Sequence, residues 1–277
     1  MNDLARQLAH STVRLECDVP GAGPHVGTGF FYHFFVEGED SVPTIVTNRH
    51  VVEGATIARI RMHLSHQPGE LPEAHKGIEL RNFQKLYMLH PDPTVDLAVI
   101  GIFSLVKQIR ALGREPYHVR FSAAHLLTDA EWRDIPPLED VAMIGYPNGL
   151  WDEAHNMPLF RRGVTASIPA HDFNGKREFL VDMACFPGSS GSPVVIINDR
   201  PYFSGTQQLV VGDRLKLLGI LRAGPQYEAT GEVVMRDVAE HERPVVISKL
   251  LMNIGYVIKA DLLRDFEESI RAEIGAG

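Results

Sequence analysis

The sequence predicts an all-β protein, and three observations carry that prediction. Apolar and β-branched runs of roughly four to eight residues recur along most of the chain; glycine, proline, asparagine and aspartate punctuate them; helical periodicity is confined to a few stretches. Residues 3–10 read as a short helical lead-in, and residues 11–17 alternate apolar and polar like an edge strand. A turn at 21–24 leads to a buried aromatic strand at 27–35, joined through 37–40 to the strand that ends at His50. Residues 55–63 alternate again, 67–75 form a loop rich in Pro and Glu, and 83–89 with 97–102 complete enough strands for a closed barrel. Between 103 and 137 the pattern changes: 105–112 and 123–132 have helical spacing, and Pro136-Pro137 ends the stretch, which reads as a surface crossover. Strands resume at 140–149, 159–167, 178–183, 193–198 and 216–222, with a hairpin arm of 207–213 against 214–218 and further strands at 244–249 and 255–259. Asp261 is placed to cap a final helix that carries Leu262, Leu263, Phe266, Ile270 and Ile274 on one stripe, packed back on the second half. The resulting division is 1–115, a connection at 116–139, and 140–277.

Composition narrows the function. At 277 residues, 44% hydrophobic and 22% charged, the chain has ample material for a core. A net charge of −8 argues against a nucleic-acid or anionic-membrane surface as the main partner. Two cysteines, Cys17 and Cys185, cannot build a multi-disulfide framework, and the first ten residues lack the apolar core of a signal peptide. Nor does any apolar run approach the length of a bilayer span. A cytoplasmic protein with free thiols is the expectation. There is no HExxH, no paired CxxC and no phosphate-loop motif, so neither a metal nor an organic cofactor is expected.

The chemistry centres on Gly188-Ser189-Ser190-Gly191-Ser192-Pro193, a glycine-flanked turn running into an apolar strand. Such a turn brings successive amide N–H groups into one concavity, where they bind an oxyanion. A serine hydroxyl needs a base to take its proton, and the base needs an orienting group. His50, directly after a β-branched strand, and Asp96, at the mouth of an apolar strand, are the candidates. Asp92, between two prolines, competes with Asp96; Ser189 and Ser192 compete with Ser190.

Thr47-Asn48-Arg49-His50-Val51-Val52, Asp96-Leu97-Ala98-Val99 and Gly188 to Pro193, in that order, resemble the trypsin-like (chymotrypsin-fold) serine peptidases, especially the bacterial branch of the high-temperature-requirement proteases. Gly27-Thr28-Gly29-Phe30 is similar to the family's G-T-G-F opening. The resemblance implies two packed six-stranded antiparallel β-barrels with a C-terminal helix, His50 as general base, Asp96 as its partner and Ser190 as nucleophile. It implies an oxyanion hole from the backbone N–H groups of Gly188 and Ser190. Ser189 stands where animal digestive members carry an aspartate, so their zymogen switch is not expected. About 17 residues remain from position 261, too few for the PDZ-type peptide-binding domain that many bacterial relatives append.

The same alignment places the specificity pocket at Ala184 and Cys185, with Gly219, Ile220, Leu221 and Arg222 as the opposite wall and a modest apolar side chain as the expected substrate residue. The expected partner is a peptide or protein in extended conformation, added to a strand edge and cut through an acyl-enzyme. Two alternatives stay open: a silent peptide-binding module of the same fold, and an esterase or self-processing enzyme with the same triad. Oligomeric state has no signature in the sequence.

Overall fold

The computed structural model describes residues 4–38, 40–198, 201–203, 209–210, 212–223, 226–232 and 245–275. After a short helix, α1 (Leu4–Leu8), come β1 (Thr12–Val19), β2 (Gly23–Glu37) and β3 (Asp40–Thr47). The one-turn helix α2 (Arg49–Val52) precedes β4 (Ile57–Ser65), β5 (Ala74–Arg81), β6 (Tyr87–Leu89) and β7 (Ala98–Gly101). These strands form one antiparallel sheet in the order β5-β4-β1-β2-β3-β7-β6, and a further strand, β8 (Glu115–Tyr117), joins the edge of β4. By hydrogen bonding the sheet is therefore eight-stranded and open among the described residues, where a closed six-stranded barrel was expected. It spends its extra strands on the long hairpin of β4 and β5, paired from Ile57↔Arg81 to Leu64↔Ala74.

The connection is part of the fold rather than a surface crossover. The helix α3 (Phe103–Ala111) buries Leu105, Val106 and Ile109 in the first core, and Phe121 bonds along β2, its carbonyl accepting from the His33 N–H and its N–H donating to the Phe31 carbonyl. The helix α4 (Asp129–Asp134) starts on a capping box in which Thr128 and Glu131 satisfy each other's N–H groups, and its Trp132 sits in the second core.

The second half is a closed six-stranded barrel of β9 (Asp140–Gly145), β10 (Leu159–Thr165), β11 (Glu178–Asp182), β12 (Pro193–Asn198), β15 (Arg214–Ala223) and β18 (Ile254–Lys259). Two hairpins interrupt it: β13 (Tyr202–Phe203) with β14 (Leu209–Val210), and β16 (Gln226–Glu232) with β17 (Val245–Leu251). Of the arm expected from 207–213 against 214–218, residues 207, 208 and 211 lie outside the described residues; Leu209 and Val210 pair with β13, and residues 214–220 pair with β12 as a barrel stave.

Burial explains why the central strands read as continuous apolar runs. Along β2, Phe31 enters the core of the first sheet while Phe30, Tyr32 and Phe34 point the other way, into a seam shared with Ile144, Val195, Leu217 and Ile258 of the barrel. A strand buried on both faces loses its polar alternation. The C-terminal segment, a 3₁₀ stretch Ala260–Phe266 followed by α5 (Glu267–Gly275), lays Leu262, Leu263, Phe266 and Ile270 on this seam rather than on the second half alone. Ile274 is exposed, outside the expected stripe, and Asp261 pairs with Arg177 instead of capping.

Candidate active site

His50 owes its position to what surrounds α2. Val51 and Val52 are buried in the first core and pin the turn, and the Val51 methyls lie so near Gly27 that a Cβ there would meet them at 2.6 and 2.7 Å. Asn48, fully buried, donates from Nδ2 to the Asp96 carbonyl at 2.8 Å, tying the start of α2 to the neighbouring loop. Arg49 donates to the His90 carbonyl at 2.9 Å at the other end of that loop. Asp96 is thus delivered beside His50. Its Oδ1 accepts the His50 backbone N–H at 2.9 Å, and its Oδ2 lies 2.7 Å from His50 Nδ1. An ionised carboxylate only accepts, so Nδ1 carries the proton and Nε2 is left with a lone pair. The imidazole is half exposed and the carboxylate mostly buried.

Asp92 is occupied elsewhere. Its Oδ1 accepts from the Thr94 N–H and hydroxyl at 2.8 and 2.7 Å, bonds that hold its carboxyl below the usual range while they close the loop.

The serine turn lies against the same strand ends. Gly191 approaches the Thr28 carbonyl and Thr47 Oγ1 so closely that no Cβ fits, and the Thr28 N–H donates to the Ser190 carbonyl at 2.8 Å. Thr47 is three residues before His50, which brings the Ser190 backbone to the strand end that carries the imidazole. The Ser190 hydroxyl itself donates to the Arg222 carbonyl at 2.9 Å; it and His50 form no hydrogen bond. Ser189 and Ser192 are fully buried, with no hydrogen bond to either hydroxyl oxygen among the described residues.

Two amides of this turn are left without an internal acceptor among the described residues. The Pro187 carbonyl accepts from the Asn148 N–H, and the Ser189 carbonyl accepts from Ser192 N–H at 3.0 Å. In a trans peptide the N–H points opposite the carbonyl, so the N–H groups of Gly188 and Ser190 turn away from those partners. Neither donates to an acceptor among the described residues. Gly188 has φ +84°, and a Cβ there would lie 2.6 Å from the Tyr146 carbonyl oxygen.

The expected pocket residues divide differently. Ala184 is half-buried, but Cys185 turns into the barrel core, where its Sγ lies 2.7 Å from the place a Gly255 Cβ would take. Burial pushes the Cys185 thiol up to about 11 and the Cys17 thiol up to about 12, so both stay protonated and inert. Ile220 and Leu221 are core residues and Gly219 packs on the Ile258 carbonyl, because β15 runs as a barrel stave through these positions. Arg222 reaches Ser190 by its carbonyl alone, its guanidinium being held 3.0 Å from Glu178 and over the Tyr256 ring. These four lie on the stave β15, which reaches the serine turn through the Leu221 and Arg222 carbonyls. Among the described residues no three His, Cys, Asp or Glu side chains converge as a metal site, and no helix is long and apolar enough to cross a membrane.

A His–Asp pair held by a one-turn helix and a loop at the end of one antiparallel sheet, and a glycine-held serine turn on a six-stranded barrel, are thus built on strands fastened to each other at the seam. The trypsin-like peptidase domain family matches residues 27–200, and the chain belongs to that family. Among solved structures, the serine endoprotease from Yersinia pestis is similar over 96% of this chain and 64% of its own, at 16% identity and a TM-score of 0.48. The HtrA-type protease AlgW with tripeptide is similar over 96% of this chain and 62% of its own, at 14% identity and a TM-score of 0.46. The chain thus spans a little under two thirds of the length of these neighbours. No curated protein matches it.

Proposed function

We infer that the protein is a serine endopeptidase whose nucleophile is Ser190, general base His50 and orienting acid Asp96. The observation that carries this reading is the pair of bonds that Asp96 accepts from His50, which leaves Nε2 as the free base, while the serine turn is fastened through Thr28 and Thr47 to the strands that lead to His50. Rotation of the Ser190 side chain from the Arg222 carbonyl toward Nε2 places its proton on the imidazole as Oγ attacks a peptide carbonyl. Rotamer exchange of this kind is fast compared with turnover. The tetrahedral oxyanion is received by the Gly188 and Ser190 N–H groups, the imidazolium gives its proton to the leaving amine, and water then hydrolyses the acyl-enzyme. No step calls for a metal or an organic cofactor. The substrate is a peptide or protein segment in extended form, as suits a cleft beside strand ends. Two buried, unpaired thiols favour a cytoplasmic setting.

The hydroxyl's bond to Arg222 is what the silent-module alternative has in its favour. Labelling with a fluorophosphonate probe separates the readings: wild type is expected to label and Ser190→Ala not at all. An unlabelled, folded wild type would establish the silent module; labelling together with turnover of esters but no peptide in a library digest would establish the esterase.

A further inference from the structure

Thr28 lies in β2 of the first sheet, and all its polar groups are engaged at the seam. It is fully buried. Its N–H donates to the Ser190 carbonyl at 2.8 Å, and its carbonyl accepts the Thr47 hydroxyl at 2.7 Å. Its own hydroxyl donates to the Gly188 carbonyl at 2.9 Å and accepts the Tyr146 N–H at 3.1 Å. One side chain from the first half thus joins two turns of the second, and these are the same two turns that the Asn148 to Pro187 bond joins.

The consequence falls on the oxyanion donors. Glycine at φ +84° has wide backbone freedom, so the direction of the Gly188 N–H is set by what holds the carbonyls on either side of it. The Asn148 N–H holds the one before, and the Thr28 hydroxyl holds the one after. Taking away the hydroxyl leaves the Gly188 carbonyl without its donor and the buried Tyr146 N–H without its acceptor. The turn that carries Asn148 then loses its fixed height against Pro187.

We propose that Thr28 is a positioning residue for the oxyanion hole: its hydroxyl sets the Gly188 peptide from across the seam so that both N–H groups face the cleft. This rests on the serine-peptidase reading above. Since misplacement of a donor by about 1 Å costs on the order of a hundredfold, Thr28→Val, which keeps the shape and loses the hydroxyl, should lower kcat about tenfold to a hundredfold with KM within about twofold. It should weaken a peptide boronate, which mimics the oxyanion, by a similar factor, and leave the affinity of an uncleaved product peptide nearly unchanged. Thr28→Ser keeps the hydroxyl and drops the methyl, and should restore the wild-type kcat even if it melts lower.

A folded Thr28→Val with wild-type kcat and boronate affinity would overturn the proposal, as would equal losses in Thr28→Ser and Thr28→Val. An unreactive wild type would instead overturn the serine-peptidase reading, so the two failures are distinct. Should Thr28→Val not fold, the wild type still decides: a slowly exchanging Thr28 hydroxyl proton in its NMR spectrum, with a cross-peak to Gly188, is expected, and its absence would remove the bond on which the proposal stands.

Discussion

At Gly191 two demands meet in one residue. Its φ of +87° is a conformation that L side chains rarely adopt, and a Cβ would fall on the Thr28 carbonyl oxygen and 2.6 Å from Thr47 Oγ1. The backbone has no room to retreat, because the Thr28 N–H holds the Ser190 carbonyl just before it and the Gly191 N–H donates to Leu221 at 2.8 Å just after. Gly191→Ala should therefore cost about 1 kcal/mol of backbone strain plus about 1–3 kcal/mol of overpacking, and should abolish fluorophosphonate labelling. Gly21→Ala is the control, since Gly21 has φ +81° with nothing within 4 Å of its Cβ direction and should lose the strain alone. Urea titrations that give the two variants equal stability would refute the steric half of this account. The glycines around Ser190 were legible in the sequence because a turn signals itself locally. Thr28 and Tyr146 were not: their importance comes from contacts between chain segments more than a hundred residues apart, and only the G-T-G-F opening hinted at them.

At the scale of elements, a one-turn helix and a short loop hold the His50 and Asp96 pair, and their mutual bonds fix which imidazole nitrogen carries the proton. In Asp96→Asn the amide oxygen can still take the His50 backbone N–H, which puts the NH₂ against Nδ1. The imidazole must then accept at Nδ1 and carry its proton on Nε2, the wrong tautomer for a base. A drop in kcat of about 10³–10⁴-fold with the fold retained is expected, and ¹⁵N shifts of His50 should report the changed tautomer. A loss under about tenfold would mean that Asp96 does not govern the tautomer. Most strands could be read in advance because their apolar runs are short and punctuated, and the strand that ends at Thr47 and the one that follows Asp96 were among the clearest. Closure could not be read, since whether a sheet's edges meet depends on twist and strand length rather than on pattern. The same limit hid how the strand at 216–222 pairs: Gly219 opposite Val194 and Lys259 makes it a stave that carries the Leu221 and Arg222 carbonyls to the serine turn.

For the molecule as a whole, the first half and the connection bury three histidines as neutral groups. Burial, then His118 and Arg120, pushes His33 down to about 3; burial, then Arg120 and Arg110, pushes His118 down to about 4. Burial, then His10, pushes His63 down to about 4, while its bond to the Asn156 carbonyl pulls the other way. His33 and His118 face each other with Nε2 atoms 3.0 Å apart, an arrangement that admits one shared proton and resists a second. In the unfolded chain the same side chains titrate near 6.5. Between about 6.5 and about 4 the unfolded state therefore binds more protons than the folded one, so stability is fully present above pH 6.5 and is lost as pH falls through that window. Each histidine contributes a slope of about 1.4 kcal/mol per pH unit there. Unfolding free energies from urea titrations at pH 7, 6, 5 and 4.5 should fall with steepening slope, and His118→Gln should flatten the curve by at least one proton. His63 also donates toward the Asn156 carbonyl of the second half, and His75 toward that of Ala154, so the loss should spread to both halves in one transition. A stability profile that stays level from pH 7 to pH 4.5 would show that these imidazoles titrate in the folded protein as they do in water, and that the seam tolerates their charge.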